Sequence, residues 1–256
     1  MRIVLIGAGN LATNLGAALK MAGHDVMQVY SRTMESANLL ANRLECTCTN
    51  DVDRILHGAD VYIVSIKDDV LENVVPKICK GREEALFVHT AGSMPMDVFK
   101  GFARHYGVLY PMQTFSKSKS VDFNKIPCFV EAESEDSLSI LKTLCASISN
   151  RVIEMTSENR KYLHLAAVFA CNFANHCYAI AADVLEKHGI PFDVMLPLID
   201  ETAEKVHSLP PQKAQTGPAV RYDKNVMDKH LVLLNENSNY EEIYKIMSKS
   251  IYELSK

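Results

Sequence analysis

Short apolar runs alternate with amphipathic stretches through the first 155 residues. Arg2-Ile3-Val4-Leu5-Ile6 is long enough for a buried parallel strand and too short for a core helix. Residues 26–30, 46–49, 60–64, 85–89, 107–110, 127–131 and 151–155 read as seven further strands. Between them, residues 10–22, 34–44, 51–57, 134–149 and a stretch from Asp68 or Asp69 to Cys79 carry helical patterning, with Thr33 and the two aspartates as expected caps. Strand followed by helix, repeated, is the rhythm of a doubly wound parallel sheet. From Ser157 onward the strand signal vanishes. Helices are expected over residues 157–188, 191–207, 224–234 and 240–254, the first ended by Gly189-Ile190-Pro191 and the third capped by Asp223.

The first strand runs straight into Gly7-Ala8-Gly9-Asn10-Leu11-Ala12, which fits the G-x-G-x-x-G/A fingerprint. Gly7 permits a tight turn, Gly9 lets backbone approach a pyrophosphate, and Ala12 lets the new helix pack on the strand. Asn10 and Leu11 open that helix, whose unpaired N–H groups and positive dipole end favour an anion. In this setting the fingerprint predicts an α/β fold. It comprises a Rossmann dinucleotide-binding domain over residues 1–156 and an all-α substrate and dimerisation domain over residues 157–256. The plain alternative is a tight strand-to-helix turn with no ligand.

The end of the second strand meets the adenosine ribose in such a site. Here stands Tyr30-Ser31-Arg32-Thr33, with no acid before Glu35. Arg32 offers a planar donor fork suited to a 2′-phosphate, and the Ser31 and Thr33 hydroxyls can add hydrogen bonds, so NADP is the expected cofactor. The alternative is an exposed arginine at a helix start. Ser65 and Ile66 after the fourth strand, and Thr90 after the fifth, occupy the carboxyl edge where cofactor and substrate are expected.

A formal net charge of −4 gives no general pull toward nucleic acid or an anionic membrane. Seven cysteines lie without disulfide or zinc spacing, so no metal is expected, and a reduced cytoplasmic setting is. Residues 162–182 are about a membrane span in length, but His164, Asn172, Asn175 and His176 are expensive in hydrocarbon. A helix buried in the protein or in a subunit interface is expected instead.

Eleven α-helical residues make almost a whole number of turns, so His164 and Asn175 are expected on one face, with Asn172 within a quarter turn of both. They serve either a satisfied polar network or substrate binding and proton transfer, with His164 as the candidate acid. In Thr216-Gly217-Pro218-Ala219-Val220-Arg221-Tyr222-Asp223, Arg221 can clamp a substrate carboxylate or simply pair with Asp223.

Four stretches together resemble one family: the fingerprint, Tyr30-Ser31-Arg32, Pro111-Met112-Gln113-Thr114-Phe115, and the run from Thr216 to Asp223. It is the family of Rossmann-like proteins that end in a helical domain of unknown function, numbered 2520. The likeness covers nearly the whole chain. These proteins are similar in plan to pyrroline-5-carboxylate reductase, ketopantoate reductase and the β-hydroxyacid dehydrogenases. The resemblance implies a helical, dimer-forming domain, reduction of a small carbonyl or imine with NADPH, and a nicotinamide end bordered by Pro111 to Phe115. One departure stands out. The latter two groups carry a catalytic Lys with Asn four residues later, whereas Lys161 is followed four residues on by Leu165, and Val168 precedes Asn172 by four. The expected activity is hydride transfer between NADP(H) and a small carbonyl or imine, with a carboxylate on the substrate as one option. A non-catalytic NADP(H)-sensing module is the alternative. A methyltransferase would want an acid where Ser31-Arg32 stands.

Overall fold

Ile3, Val4, Leu5 and Ile6 are all fully buried, which a strand achieves only in the interior of a sheet covered on both faces. The structure, a computed structural model describing residues 1–256, shows how. Eight strands, β1 (Arg2–Ile6), β2 (Asp25–Tyr30), β3 (Thr47–Thr49), β4 (Val61–Val64), β5 (Leu86–His89), β6 (His105–Pro111), β7 (Cys128–Ala132) and β8 (Val152–Glu154), form one sheet. Their order is β3-β2-β1-β4-β5-β6-β7-β8, and every neighbouring pair is parallel except β6 with β7. The strand order reverses between β1 and β4, the switch point at which such sheets bind ligands.

Four helices flank the sheet: α1 (Asn10–Met21), α2 (Met34–Leu44), α3 (Asp68–Cys79) and α4 (Glu135–Ala146). The two-residue period of β1 divides the core. Ile3 and Leu5 join Leu15, Leu19, Leu40, Leu44 and Leu141 in one cluster, while Val4 and Ile6 join Tyr62, Leu71, Val75, Phe87 and Phe99 in the other. Both faces of the sheet are therefore apolar, as the unbroken apolar runs predict.

Local expectations fail where side chains find other partners. Residues 51–57 form only the 3₁₀ turn Val52–Arg54, capped by Asp51, and Met96–Phe99 is a second 3₁₀ turn without a clear sequence signal. Lys67, not an aspartate, occupies the cap position of α3, because Asp68 lies inside the first turn and accepts a hydrogen bond from Ser93. Thr33 does stand at the cap position of α2, but its hydroxyl donates to Ser36 Oγ at 2.9 Å instead of accepting from the backbone. Pro111 does not stop β6 but is its last residue, paired with Cys128.

The expected helix from Ser157 breaks into α5 (Ser157–Ala167), a π-helical turn (Val168–Phe173) and α6 (Ala174–Glu186). A π turn carries i→i+5 hydrogen bonds, so the α-helical spacing assumed from His164 to Asn172 and Asn175 is interrupted there. By length and composition the stretch Ser157–Glu186 suffices to cross a membrane, with mean hydropathy 1.3 over its most apolar window. None of that window is buried, which overturns the expectation of a helix buried within this chain. Tyr162, Leu165, Phe169 and Phe173 are exposed.

The chain forms two compact units, Met1–Cys171 and Asn172–Lys256. Strands end at Glu154, close to the expected domain boundary at 156, and the first unit continues through α5. After α6 the second unit holds a 3₁₀ turn (Phe192–Met195), α7 (Leu196–Ser208), α8 (Pro211–Ala214), α9 (Lys224–Leu233) and α10 (Ser238–Leu254). His230 Nδ1 meets the Tyr244 hydroxyl at 2.9 Å between α9 and α10. Only Ala219 and Ser248 are buried in this unit, and Val232, Leu233, Ile246 and Leu254 are exposed.

One buried ion pair ties α5 to the sheet. Arg160, 1% exposed, reaches Glu131 of β7 at 2.6 Å and the Met94 carbonyl at 2.5 Å, and its Nε alone has no partner. Ser157 donates to both Glu131 oxygens, through N at 2.8 Å and Oγ at 2.6 Å. Replacing Arg160 by Met strands the Glu131 carboxylate, which costs about 3–5 kcal/mol. Urea unfolding of R160M is expected to show that loss; an unchanged midpoint would remove the anchor.

Candidate active site

The fingerprint forms the turn from β1 into α1. Gly7 has φ +116° and its N–H donates to the Tyr30 carbonyl at 2.8 Å. A Cβ there would stand 2.1 Å from the Ser65 carbonyl oxygen, so β4 closes against β1 only because residue 7 has no side chain. Space beside Gly9 is the reverse: nothing lies within 4 Å of where its Cβ would be. Gly9 caps α1 with no side-chain hydrogen bond, no acid occupies the first turn, Asn10 is exposed and Ala12 is fully buried. The result is an uncapped helix N-terminus beside open space, which fits a pyrophosphate.

At the end of β2, Ser31 is half-buried and its N–H donates to the Thr49 carbonyl at 3.1 Å. Arg32 is exposed and makes no ion pair, so its guanidinium is free for a ligand. Across the switch point, Ser65 N–H donates to the Ile6 carbonyl at 2.7 Å, and Thr90 Oγ1 meets Ser65 Oγ at 3.2 Å. Ile66 packs against the core cluster of Val4 and Ile6. These residues stand together along the carboxyl ends of β1, β2, β4 and β5, as expected.

The loop after β5 is built on His89, which is fully buried. Its Nδ1 accepts from the Ala91 N–H at 3.2 Å, leaving Nε2–H to donate to the Pro95 carbonyl at 3.2 Å. Burial holds the imidazole neutral, lowering its pKa to about 4, with Arg160 adding to the effect.

That loop places Gly92 against two rings. A Cβ on Gly92 would lie 2.6 Å from His164 Nδ1 and 3.0 Å from Tyr110 Cζ. The Tyr110 hydroxyl meets His164 Nδ1 at 3.2 Å, with the rings edge to face and their centroids 6.2 Å apart. Tyr110, only 9% exposed, lies at the carboxyl end of β6, and its phenol pKa is raised by burial. His164 comes from α5, one turn beyond Arg160. Of the four candidate catalytic residues, His164 thus joins the carboxyl edge.

The other three belong to the second unit. Asn172 and Asn175 are exposed and make no hydrogen bond there, so the expected polar network is absent from the protomer. Arg221 is exposed and forms no ion pair with Asp223, whose carboxylate caps α9 by accepting from the Val226 N–H at 3.3 Å. Sequence reasoning missed Tyr110, the anchor of Glu131 and Arg160, and the part played by Gly92. A tyrosine just before a strand-ending proline at the carboxyl edge was the available signal for the first.

This is a Rossmann-like domain of the dinucleotide-binding type followed by a helical region. Two sequence profiles match: NADP oxidoreductase, coenzyme F420-dependent, over residues 2–91, and the domain of unknown function DUF2520 over residues 126–251. A solved Bacteroides fragilis protein, provisionally named an NADP oxidoreductase, is 55% identical, with 98% of each chain covered and a TM-score of 0.95. The chain belongs to this family of Rossmann-like, NADP-oxidoreductase-type proteins that end in DUF2520. An imine reductase from Myxococcus stipitatus, solved with NADP⁺, shares the fold at 14% identity and TM-score 0.69, covering 100% of this chain and 93% of that one. A 1-pyrroline-5-carboxylate reductase from Streptococcus pyogenes shares it at 16% identity and TM-score 0.64, with 98% of each covered. No curated protein matches the chain in sequence.

His89 makes stability pH-dependent. In the unfolded chain it takes up a proton below about 6.5, in the folded protein only near pH 4. Falling pH therefore favours unfolding across that window, by roughly 3 kcal/mol in total. Urea titrations from pH 7 to 4 are expected to show this loss in the wild type and a flatter profile in His89→Gln; equal slopes would contradict it.

Proposed function

We propose that the protein is an NADP(H)-dependent oxidoreductase acting on a small carbonyl or imine. The observation that carries this reading is the uncapped start of α1 at the switch point, next to a β2 end that presents unpaired Arg32 and no acid. Gly7, Gly9, Asn10, Leu11 and Ala12 would hold the pyrophosphate, and Ser31, Arg32 and Thr33 the 2′-phosphate. Ser65, Ile66 and Thr90 would border the rest of the dinucleotide. When bound, that cofactor supplies or accepts a hydride.

The chain's own residues do the remainder. They place the substrate at the carboxyl edge, where His164 holds the reacting heteroatom and steadies its developing charge. Arg221, from the second unit, is the candidate clamp for a substrate carboxylate. A homodimer covering the apolar residues of the second unit, without nucleic acid or membrane, is part of the same proposal, as is a soluble, cytoplasmic setting. The imine reductase and pyrroline-5-carboxylate reductase that share the fold support the reaction class. The missing Lys-x-x-x-Asn pair favours a second reading, an NADP(H)-sensing module without turnover.

Titration with NADPH and NADH, followed by nicotinamide fluorescence, tests the cofactor. Tight NADPH binding, weak NADH binding and a loss of NADPH affinity of about 10- to 150-fold in Arg32→Ala are expected. If neither nucleotide binds, the enzyme reading fails.

With an active substrate in hand, His164→Ala is expected to lower kcat about 10²–10³-fold while NADPH affinity stays unchanged. Full turnover in that variant removes His164 from the chemistry. NADPH binding without oxidation by any carbonyl or imine would favour the sensing module.

A further inference from the structure

Tyr110, His164 and Gly92 form a built arrangement. Tyr110 is 9% exposed, and the one hydrogen-bond partner of its hydroxyl is His164 Nδ1, at 3.2 Å. Two proton placements are open to the pair. If Nδ1–H donated to the phenol oxygen, the phenol O–H would be left without an acceptor from the protein, although the residue is 9% exposed. If the phenol O–H donates to Nδ1, both groups are satisfied. Burial raises the phenol pKa, so the hydroxyl keeps its proton for this bond. Gly92 permits the contact, because a Cβ there would lie 2.6 Å from Nδ1.

We propose that Tyr110 is the positioning residue that fixes His164 as the neutral Nε2–H tautomer, so that the site presents a hydrogen-bond donor and is built for a carbonyl rather than an iminium. This rests on reading the carboxyl edge as a hydride-transfer site. Nε2 has no partner within the first unit and is available to a ligand. A carbonyl oxygen carries lone pairs that accept from Nε2–H. A protonated iminium nitrogen carries none, and would instead need an acceptor at this place. In the reduction the carbonyl carbon gains a hydride, forming a C–H bond, and the C=O π pair moves onto oxygen. Nε2–H steadies the alkoxide, which then takes a proton from water, and the imidazole keeps its own. Passing the proton on from Tyr110 would leave a buried phenolate, which the site disfavours.

The test uses the full chain labelled with ¹⁵N-histidine, with His164 assigned by its absence in His164→Gln. In the wild type, Nδ1 is expected at the position of an unprotonated, hydrogen-bonded ring nitrogen and Nε2 at that of an N–H. Tyr110→Phe keeps the ring and removes only the hydroxyl, and is expected to average the two signals while thermal unfolding shows the fold intact. An Nδ1–H tautomer in the wild type, or identical spectra for wild type and Tyr110→Phe, overturns the assignment. NADPH binding is measured on the same samples. Absence of binding condemns the oxidoreductase reading, whereas the tautomer result speaks to Tyr110 alone. Where NADPH binds, simple aldehydes and ketones are compared with cyclic imines at equal concentration. Oxidation of NADPH by the carbonyls, with kcat lowered about 10- to 100-fold in Tyr110→Phe, is expected. Turnover of imines only, or of neither class, overturns the substrate assignment.

Discussion

The ion pair between Glu131 and Arg160 is the constraint on which the site depends. A guanidinium is planar, and its N–H groups diverge at fixed angles. Arg160 uses them to hold three separate segments at once: the middle of β7, the loop after β5 and the first turn of α5. A lysine ammonium is a compact point charge without that wide, planar fork. Because the first turn of α5 is fixed from three directions, the position of residue 164, one turn of about 5.4 Å further on, is fixed too. The loop after β5 is held at the same time through its Met94 carbonyl, and His89 holds its other part. Both halves of the contact between Gly92 and His164 are therefore placed by buried polar groups.

Burial on this scale is costly unless it is matched by hydrogen bonds. The polar groups in question meet that condition almost completely: Glu131 accepts from Ser157 and Arg160, and His89 uses both ring nitrogens. The single unpaired atom is Arg160 Nε. Such networks give a unique arrangement instead of a merely compact one. Any site that must align reacting groups needs that property more than it needs stability, since small displacements at the reacting atoms are expensive in rate.

The central strands β1, β4 and β5 were legible because each is an apolar run buried on both faces and bounded by turn residues, whereas the edge strands β3 and β8 carry a weaker signal. The fingerprint was legible for a stronger reason: Gly7 answers a steric demand, the carbonyl of Ser65, that no other residue meets. Features set by distant partners were not legible. Nothing local to Tyr110 announces that a helix begun nearly fifty residues later brings an imidazole to its hydroxyl. Asp68 reads as a cap until Ser93 claims its carboxylate. The π turn at Val168–Phe173 has no composition to mark it, so an unbroken α-helical spacing was expected where the structure interrupts it. Of the alternatives open to Arg221, the ion pair with Asp223 rested on nearness in sequence alone, and the carboxylate serves the start of α9 instead.

The second unit is thinly packed, with only Ala219 and Ser248 buried along its length. Backbone hydrogen bonds in such a region open at little free-energy cost, so its amide protons exchange with solvent well before those of the sheet. Its order is then a property of what it meets more than of its own sequence. Any surface that covers Val232, Leu233, Ile246 and Leu254 adds to folding as well as to binding, and the two become a single, concentration-dependent equilibrium.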